Sequence, residues 1–260
     1  MSKKAMKKET IGTLRNAPDY IQSFMTKGNK KLTDYMDEYS GIYYKYAQFN
    51  LPARKTCPFA TDDCYKFCYA IRDERFPAPR NNRTNSLQAT KDPLFVHNMI
   101  FTINSELDYS KRYEGAVMIL RIHESGEFYR QQYLNDMIDI ISHFLHRYDN
   151  EKRIRIIFQF YTKAFRYFVN LDNERKDILR KAIRAGIVAM SLSYDKSMKQ
   201  EQRNNMLKVY SMFPGCNIYA AVKEKDLNTF EHNKKCDCAD CAKCGKCVHT
   251  DGSTVAVAIH

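Results

Sequence analysis

Cys57, Cys64 and Cys68 fall within twelve residues of one another, in the run Cys57-Pro58-Phe59-Ala60-Thr61-Asp62-Asp63-Cys64-Tyr65-Lys66-Phe67-Cys68. Thiolates a few residues apart in one loop can converge on a single soft metal centre, whereas buried structural cysteines rarely cluster in this way. A second group, Cys236, Cys238, Cys241, Cys244 and Cys247, packs five thiols into another twelve residues. The two-residue gaps from Cys238 through Cys241 to Cys244 are those of loops that wrap one iron–sulfur cubane. Cys241-Ala242-Lys243-Cys244-Gly245 equally suits a zinc knuckle, whose glycine lets backbone amides turn toward sulfur. The second group either holds its own centre, an iron–sulfur cluster or a zinc ion, or lends one thiolate to the first. Five local thiols favour a separate centre.

The remaining cysteine, Cys216, stands alone in an apolar run and reads as a small buried hydrophobe. His143 and His146 have two residues between them where a shared helical zinc-ligand face needs three, so they read as surface residues. His249, beside the cysteine run, is a weaker metal candidate.

A chain of 260 residues buries enough surface to fold without covalent staples. An odd count of nine cysteines and a basic start with no apolar segment behind it point to a reducing cytoplasm. No apolar run approaches the ~18 residues of a membrane span, so no membrane partner is expected. Half of the net charge of +12 lies in residues 1–31, where eight Lys and Arg face only Glu9 and Asp19. Such an arm suits phosphates, which makes nucleic acid a candidate partner, and it suits a solvated terminus equally well.

Residues 10–40 read as one or two short helices behind that arm, closed by Gly28 and Asn29. The aromatic run from Ile42 to Leu51 reads as a strand ending at Pro52, and the cysteine loop leaves from its end. Residues 71–90, with Pro77, Pro79 and several asparagines and arginines, read as an irregular loop. Asp92-Pro93 then opens a helix. Beyond it, strands at Ala116–Ile122, Arg153–Tyr161, Ile187–Ser193, Cys216–Val222 and Thr254–Ile259 alternate with helices at Phe128–Tyr148, Asp172–Ala185 and from a capping box at Ser197 to Met212. Six apolar strands joined by amphipathic helices predict an α/β fold with a mostly parallel sheet, either a full or partial barrel or a doubly wound sheet. Residues 1–40 then form an arm, 41–230 the α/β domain, and 231–260 a cysteine-rich metal segment with the final strand.

In such folds ligands gather at the carboxyl ends of the strands. There stand the three-cysteine loop, His123-Glu124-Ser125-Gly126-Glu127, Thr162-Lys163, Tyr194-Asp195-Lys196 and Lys223-Glu224-Lys225.

At these ends the residues resemble radical S-adenosylmethionine enzymes: a cysteine triad after the first strand, Phe67 before its third cysteine, a Gly-Glu after the second strand and Ser-Leu-Ser-Tyr-Asp after a later one. Thr56 to Ala70, Arg121 to Phe128, Phe160 to Lys163 and the terminal cysteines resemble more closely the phage gene product eighty-eight proteins, over about residues 50–260. The wider resemblance implies a partial (β/α)6-type barrel. Cys57, Cys64 and Cys68 would hold a [4Fe-4S] cluster with one iron open to S-adenosylmethionine, Phe67 would lie near the adenine, and Ser125, Gly126 and Glu127 would meet the methionyl ammonium. The gaps between the cysteines are six and three residues where that family has three and two, and Ser-Gly-Glu replaces Gly-Gly-Glu.

The expectation is therefore an iron–sulfur protein that starts radical chemistry on an unidentified substrate, served by an electron donor. His123 is its histidine candidate, and Asp195, Tyr161 and Arg83 are the candidates for the substrate pocket. If phage-encoded, it would work in the host cytoplasm. The alternative expectation is a phage nucleic-acid-binding protein whose cysteines hold structural metal without catalysis.

Overall fold

The computed structural model describes residues 25–27, 33–37, 40–110, 115–150, 155–222, 233–235, 247 and 251–258. Six strands run parallel and side by side in the order of the chain: β3 (Tyr43–Phe49), β4 (Val117–Ile122), β5 (Arg155–Thr162), β6 (Val188–Tyr194), β7 (Asn217–Val222) and β9 (Thr254–Ala258). These are the six strands expected from the apolar runs. Through these six strands the order follows the chain, without the central reversal that marks a doubly wound sheet. The sheet is open. At one edge β1 (Thr26–Lys27) and β2 (Tyr35–Met36) both pair antiparallel with β3, and at the other β8 (Asn233–Lys235) pairs with β9.

Strands β1 and β2 replace, over the described part of residues 10–40, the short helices expected there. Their cause lies in β3 rather than in their own sequence: Asp34 accepts hydrogen bonds from the Tyr46 amide and the Tyr43 hydroxyl, and Tyr35 stacks on Tyr44 with ring centroids 5.0 Å apart. The basic arm and the closing Gly28-Asn29 lie outside the described residues.

The irregular loop expected at residues 71–90 is helical instead: α2 (Ala70–Asp73) and α3 (Pro77–Ala89) follow α1 (Asp62–Lys66). Pro77 and Pro79 fall in the first turn of α3, where a missing N–H costs nothing and a fixed φ helps. Only Arg83, Ser86, Leu87 and Ala89 of α3 are buried, so its low apolar content reflects one narrow packed stripe.

The long helices α4 (Phe95–Ser110), α5 (Gln131–Asn150), α7 (Asn173–Arg184) and α8 (Gln200–Met212), with the short α6 (Phe165–Val169), share one core with a single face of the sheet. Phe95, Met99 and Ile103 of α4, Tyr133, Met137, Ile141 and Phe144 of α5, and Leu179 and Ile183 of α7 are buried there against Leu120, Ile122, Phe158, Phe160 and Met190. The start of α8 differs from the expected capping box at Ser197. The helix begins three residues later, with the Gln202 side chain accepting from the Lys199 amide, because Ser197 turns to Asp195 instead. On the other face Tyr46, Val117 and Ile119 form a small apolar floor near the amino ends of the strands. Cys216 is fully buried, as expected of a lone apolar cysteine. No helix among the described residues is long and apolar enough to cross a membrane.

Candidate functional site

The cysteine loop is held in place by the ends of β4, β5 and β6. The Leu51 amide donates to the Ser125 carbonyl (2.9 Å) and the Ser125 hydroxyl donates to the Leu51 carbonyl (2.8 Å). The Asn50 side-chain oxygen accepts from the amides of Glu124 and Ser125. Gly126 adopts φ +84, and a Cβ there would lie 2.5 Å from the Leu51 Cβ and 2.7 Å from the Thr56 Oγ1. The glycine is thus required by close approach of the chain's own loop.

Helix α1, which carries Cys64, is fastened to β6. Thr61 caps it by accepting from the Cys64 amide, and its hydroxyl donates to Asp195 Oδ2 at 2.6 Å. Asp195 Oδ1 accepts from the Ser197 amide and hydroxyl, the Ser197 Oγ accepts from the Asp63 amide, and Lys163 Nζ lies 3.2 Å from Asp195 Oδ2. Burial works against the charge of Asp195, yet hydrogen bonds from Thr61 and Ser197 together with the Lys163 ammonium hold its carboxyl below the usual range.

Cys57, Cys64 and Cys68 are free thiols, each partly buried. Burial pushes the Cys57 thiol up to about 12, helped by Glu127 and by Cys64 and Cys68, while a backbone hydrogen bond at Arg54 opposes. Burial also raises Cys64, against the nearby Lys163, and Cys68, Asp195 and Glu127 add to the rise. The three thiols therefore share one electrostatic neighbourhood. Among the described residues no group of three His, Cys, Asp or Glu side chains is arranged to hold a metal ion as it stands. Cys236, Cys238, Cys241, Cys244 and His249 lie outside the described residues. A cavity of about 280 Å3 opens beside the loop, lined among others by Thr61, Asp62, Lys163, Ser197, Lys199 and Gln202.

The other expected residues separate into two sets. Glu127 is buried, accepts from Phe128 N and Thr162 Oγ1 on one oxygen and from Lys163 N on the other, and so pins β4 to β5. Burial still lifts its carboxyl to about 7 against those three donors. His123, at φ +64, turns into the helix-side core, where its ring meets Phe128 edge-on and Nε2 bonds the Tyr133 hydroxyl at 2.8 Å. Burial drives its pKa down to about 3, which keeps it neutral. Arg83 is spent on the Ala70 carbonyl, Glu74 and Asp73, locking α3 to α2. Phe67, in contrast, is 46% exposed just past α1, and Tyr65, Tyr69 and Phe76 are exposed as well.

Tyr161 lies on the sheet face opposite the helices. It packs edge-on against Tyr219 with centroids 4.8 Å apart, Arg121 stacks over its ring at 5.5 Å, and its hydroxyl meets the Cys247 thiol. The Gln159 side-chain amide donates to the Cys247 carbonyl at 3.3 Å, which brings the last cysteine of the second group onto this face. Burial opposes the charge of Arg121, but Tyr69, Tyr161, Glu124 and Tyr219 together hold its pKa above the ordinary value. Residues that sequence reasoning gave no role therefore include Thr61, Arg121, Gln48 and Gln159. The available signal was a polar residue one to three places from the end of a largely apolar strand, at Gln48, Arg121 and Gln159 alike.

Comparison with curated proteins and with solved structures finds no match. The model of the family described as gene product 88 matches residues 23–250, a span that takes in every strand-end residue described above, and the chain belongs to that family.

Proposed function

We propose that the cysteine loop is a metal centre in which Cys57, Cys64 and Cys68 hold an iron–sulfur cluster, and that the protein is an enzyme of radical S-adenosylmethionine type built on a partial barrel. The observation that supports this is the sharing of one electrostatic neighbourhood by three free thiols at the carboxyl edge of a sequentially ordered parallel sheet. Three thiolates fit a soft metal by donor type. When bound, such a cluster supplies the electron that cleaves S-adenosylmethionine.

The chain's own residues would do the rest. Lys163 and the Asp195–Thr61–Ser197 lock fix the helix that bears Cys64, and the neighbouring cavity gives a polar ligand room beside it. Exposed Phe67 is free to stack on an adenine. Glu127 could take a methionyl ammonium only as a fourth donor, because three chain donors already reach it. The second cysteine group would form an auxiliary iron–sulfur or zinc centre whose last member, Cys247, stands beside Tyr161. An external electron donor and a cytoplasmic setting, that of the host for a phage protein, belong to this reading.

The test is the reduced EPR spectrum of anaerobically purified full chain before and after addition of S-adenosylmethionine. A cluster signal that changes with the cofactor is expected; zinc alone, or a signal indifferent to the cofactor, would overturn the reading. The second reading, nucleic-acid binding with structural metal, draws on the net charge of +12 and predicts affinity that falls steeply with salt.

A further inference from the structure

Gln48, Arg121 and Gln159 stand side by side on three adjacent strands: Gln48 is in register with Arg121, and Arg121 with Gln159. Residues paired across parallel strands project to the same face, about 4.8 Å apart, so the three side chains form one row on the face away from the helices. Gln48 and Gln159 are each 4% exposed, and Arg121 between them is partly buried.

Each member keeps a buried polar atom without a hydrogen-bond partner: Gln48 Nε2, Arg121 Nε and Gln159 Oε1. The neighbours fix which amide atom is unmet. Asn50 accepts two amides through its oxygen, so its nitrogen donates to Gln48 Oε1 and leaves Gln48 Nε2 unused. Gln159 must donate to the Cys247 carbonyl, so Oε1 is the unused atom there. Arg121 makes no hydrogen bond or ion pair among the described residues, and its contact is the Tyr161 ring. Buried polar atoms are nearly always paired, and three unpaired ones in a single row are unlike the rest of the sheet. A guanidinium with no carboxylate hydrogen-bonded to it among the described residues, and with Glu124 and the surrounding tyrosines only in its wider field, is chemistry suited to an incoming oxyanion.

We infer that this row is a binding subsite for the oxyanion end of a small polar molecule, a carboxylate or a phosphate, which Arg121 and Gln48 hold while an adjacent N–H or O–H donates to Gln159 Oε1. None of the three residues belongs to the cysteine loop, so the subsite stands whether or not that loop binds metal.

The probes are acetate, glycine and inorganic phosphate, titrated into 15N-labelled full chain at constant ionic strength while the arginine Nε–H resonances are followed by NMR. The Arg121 resonance is identified by its loss in Arg121→Lys, a variant that keeps the charge and guards against misfolding. The Arg121 signal shifts saturably, and Arg121→Gln weakens binding roughly tenfold or more, as expected for a charged hydrogen bond. Tighter binding of acetate and glycine assigns a carboxylate ligand, and tighter binding of phosphate assigns a phosphate ligand. Gln159→Leu weakens glycine, which carries a neighbouring ammonium, about threefold or more while leaving acetate unchanged. No shift with any probe, the same shift with chloride, or equal affinity in Arg121→Gln would overturn the subsite. Equal loss of glycine and acetate in Gln159→Leu would overturn the role of Gln159.

Discussion

Two polar regions lie within a few residues of each other along the same strands, and they differ in how fully the chain satisfies them. At the strand ends Asp195, Glu127, Ser125 and Asn50 each have two or more partners, all supplied by the loops they join. Just before those ends, on the open face, Gln48, Arg121 and Gln159 each leave an atom unmet. A satisfied group is committed to holding structure, and removing its partner costs stability; an unmet group already bears that cost in the folded state. The carboxylates that looked most catalytic in sequence therefore position the cysteine loop, while the less conspicuous row on the strands is the part left uncommitted.

The sharpest way to break the contrast is Gly126→Ala. A methyl group forced against Leu51 and Thr56 at a positive φ should cost roughly 3 kcal/mol, read as a fall in the denaturation midpoint; a neutral outcome would mean that the cysteine loop is not clamped there. Asp195→Asn should cost about 2 kcal/mol, because Lys163 is left beside the loop without its anionic partner, and urea titration would measure it.

The pH dependence should reveal a cancellation between Glu127 and His123. Glu127 is raised from 4.5 to about 7 by burial, so its contribution is fully present below pH 4.5 and is lost as pH rises through 7. His123 is lowered from 6.5 to about 3, so its contribution is fully present above pH 6.5 and is lost as pH falls through 3. Between pH 4.5 and 6.5 the two slopes oppose each other. Glu127→Gln should unmask a stability that rises with pH across that window relative to the parent, and an unchanged slope would contradict the raised pKa of buried Glu127. The smallest effect belongs to the open face: Arg121→Leu should lie within about 1 kcal/mol of the parent or above it, since it removes a desolvated charge that has no hydrogen-bond partner. A large loss would place Arg121 among the structural groups.

Much of this architecture was legible in the sequence. Six apolar runs separated by amphipathic helices gave the parallel sheet, because a strand buried on a helical layer needs little besides continuous apolar residues. Polar residues after those runs marked Glu127, Lys163 and Asp195 as neighbours. What failed had a physical cause in each case. Helix α3 is polar around most of its surface and opens with prolines, so its composition mimics a loop. Strands β1 and β2 owe their existence to the edge of β3. Glycine at 126 signals close approach, yet sequence does not say whether a ligand or the loop at Leu51 is what approaches. The row of Gln48, Arg121 and Gln159 emerges only once the register of three strands is known.

The most direct measurement is the iron, acid-labile sulfide and zinc content per chain of anaerobically purified protein, taken beside a variant with Cys57, Cys64 and Cys68 all replaced by alanine. The proposed centre predicts iron and sulfide in the parent and loss of one cluster's complement in the variant, with any metal on the second cysteine group retained. Equal iron and sulfide in the two proteins would contradict the cysteine loop as a metal centre.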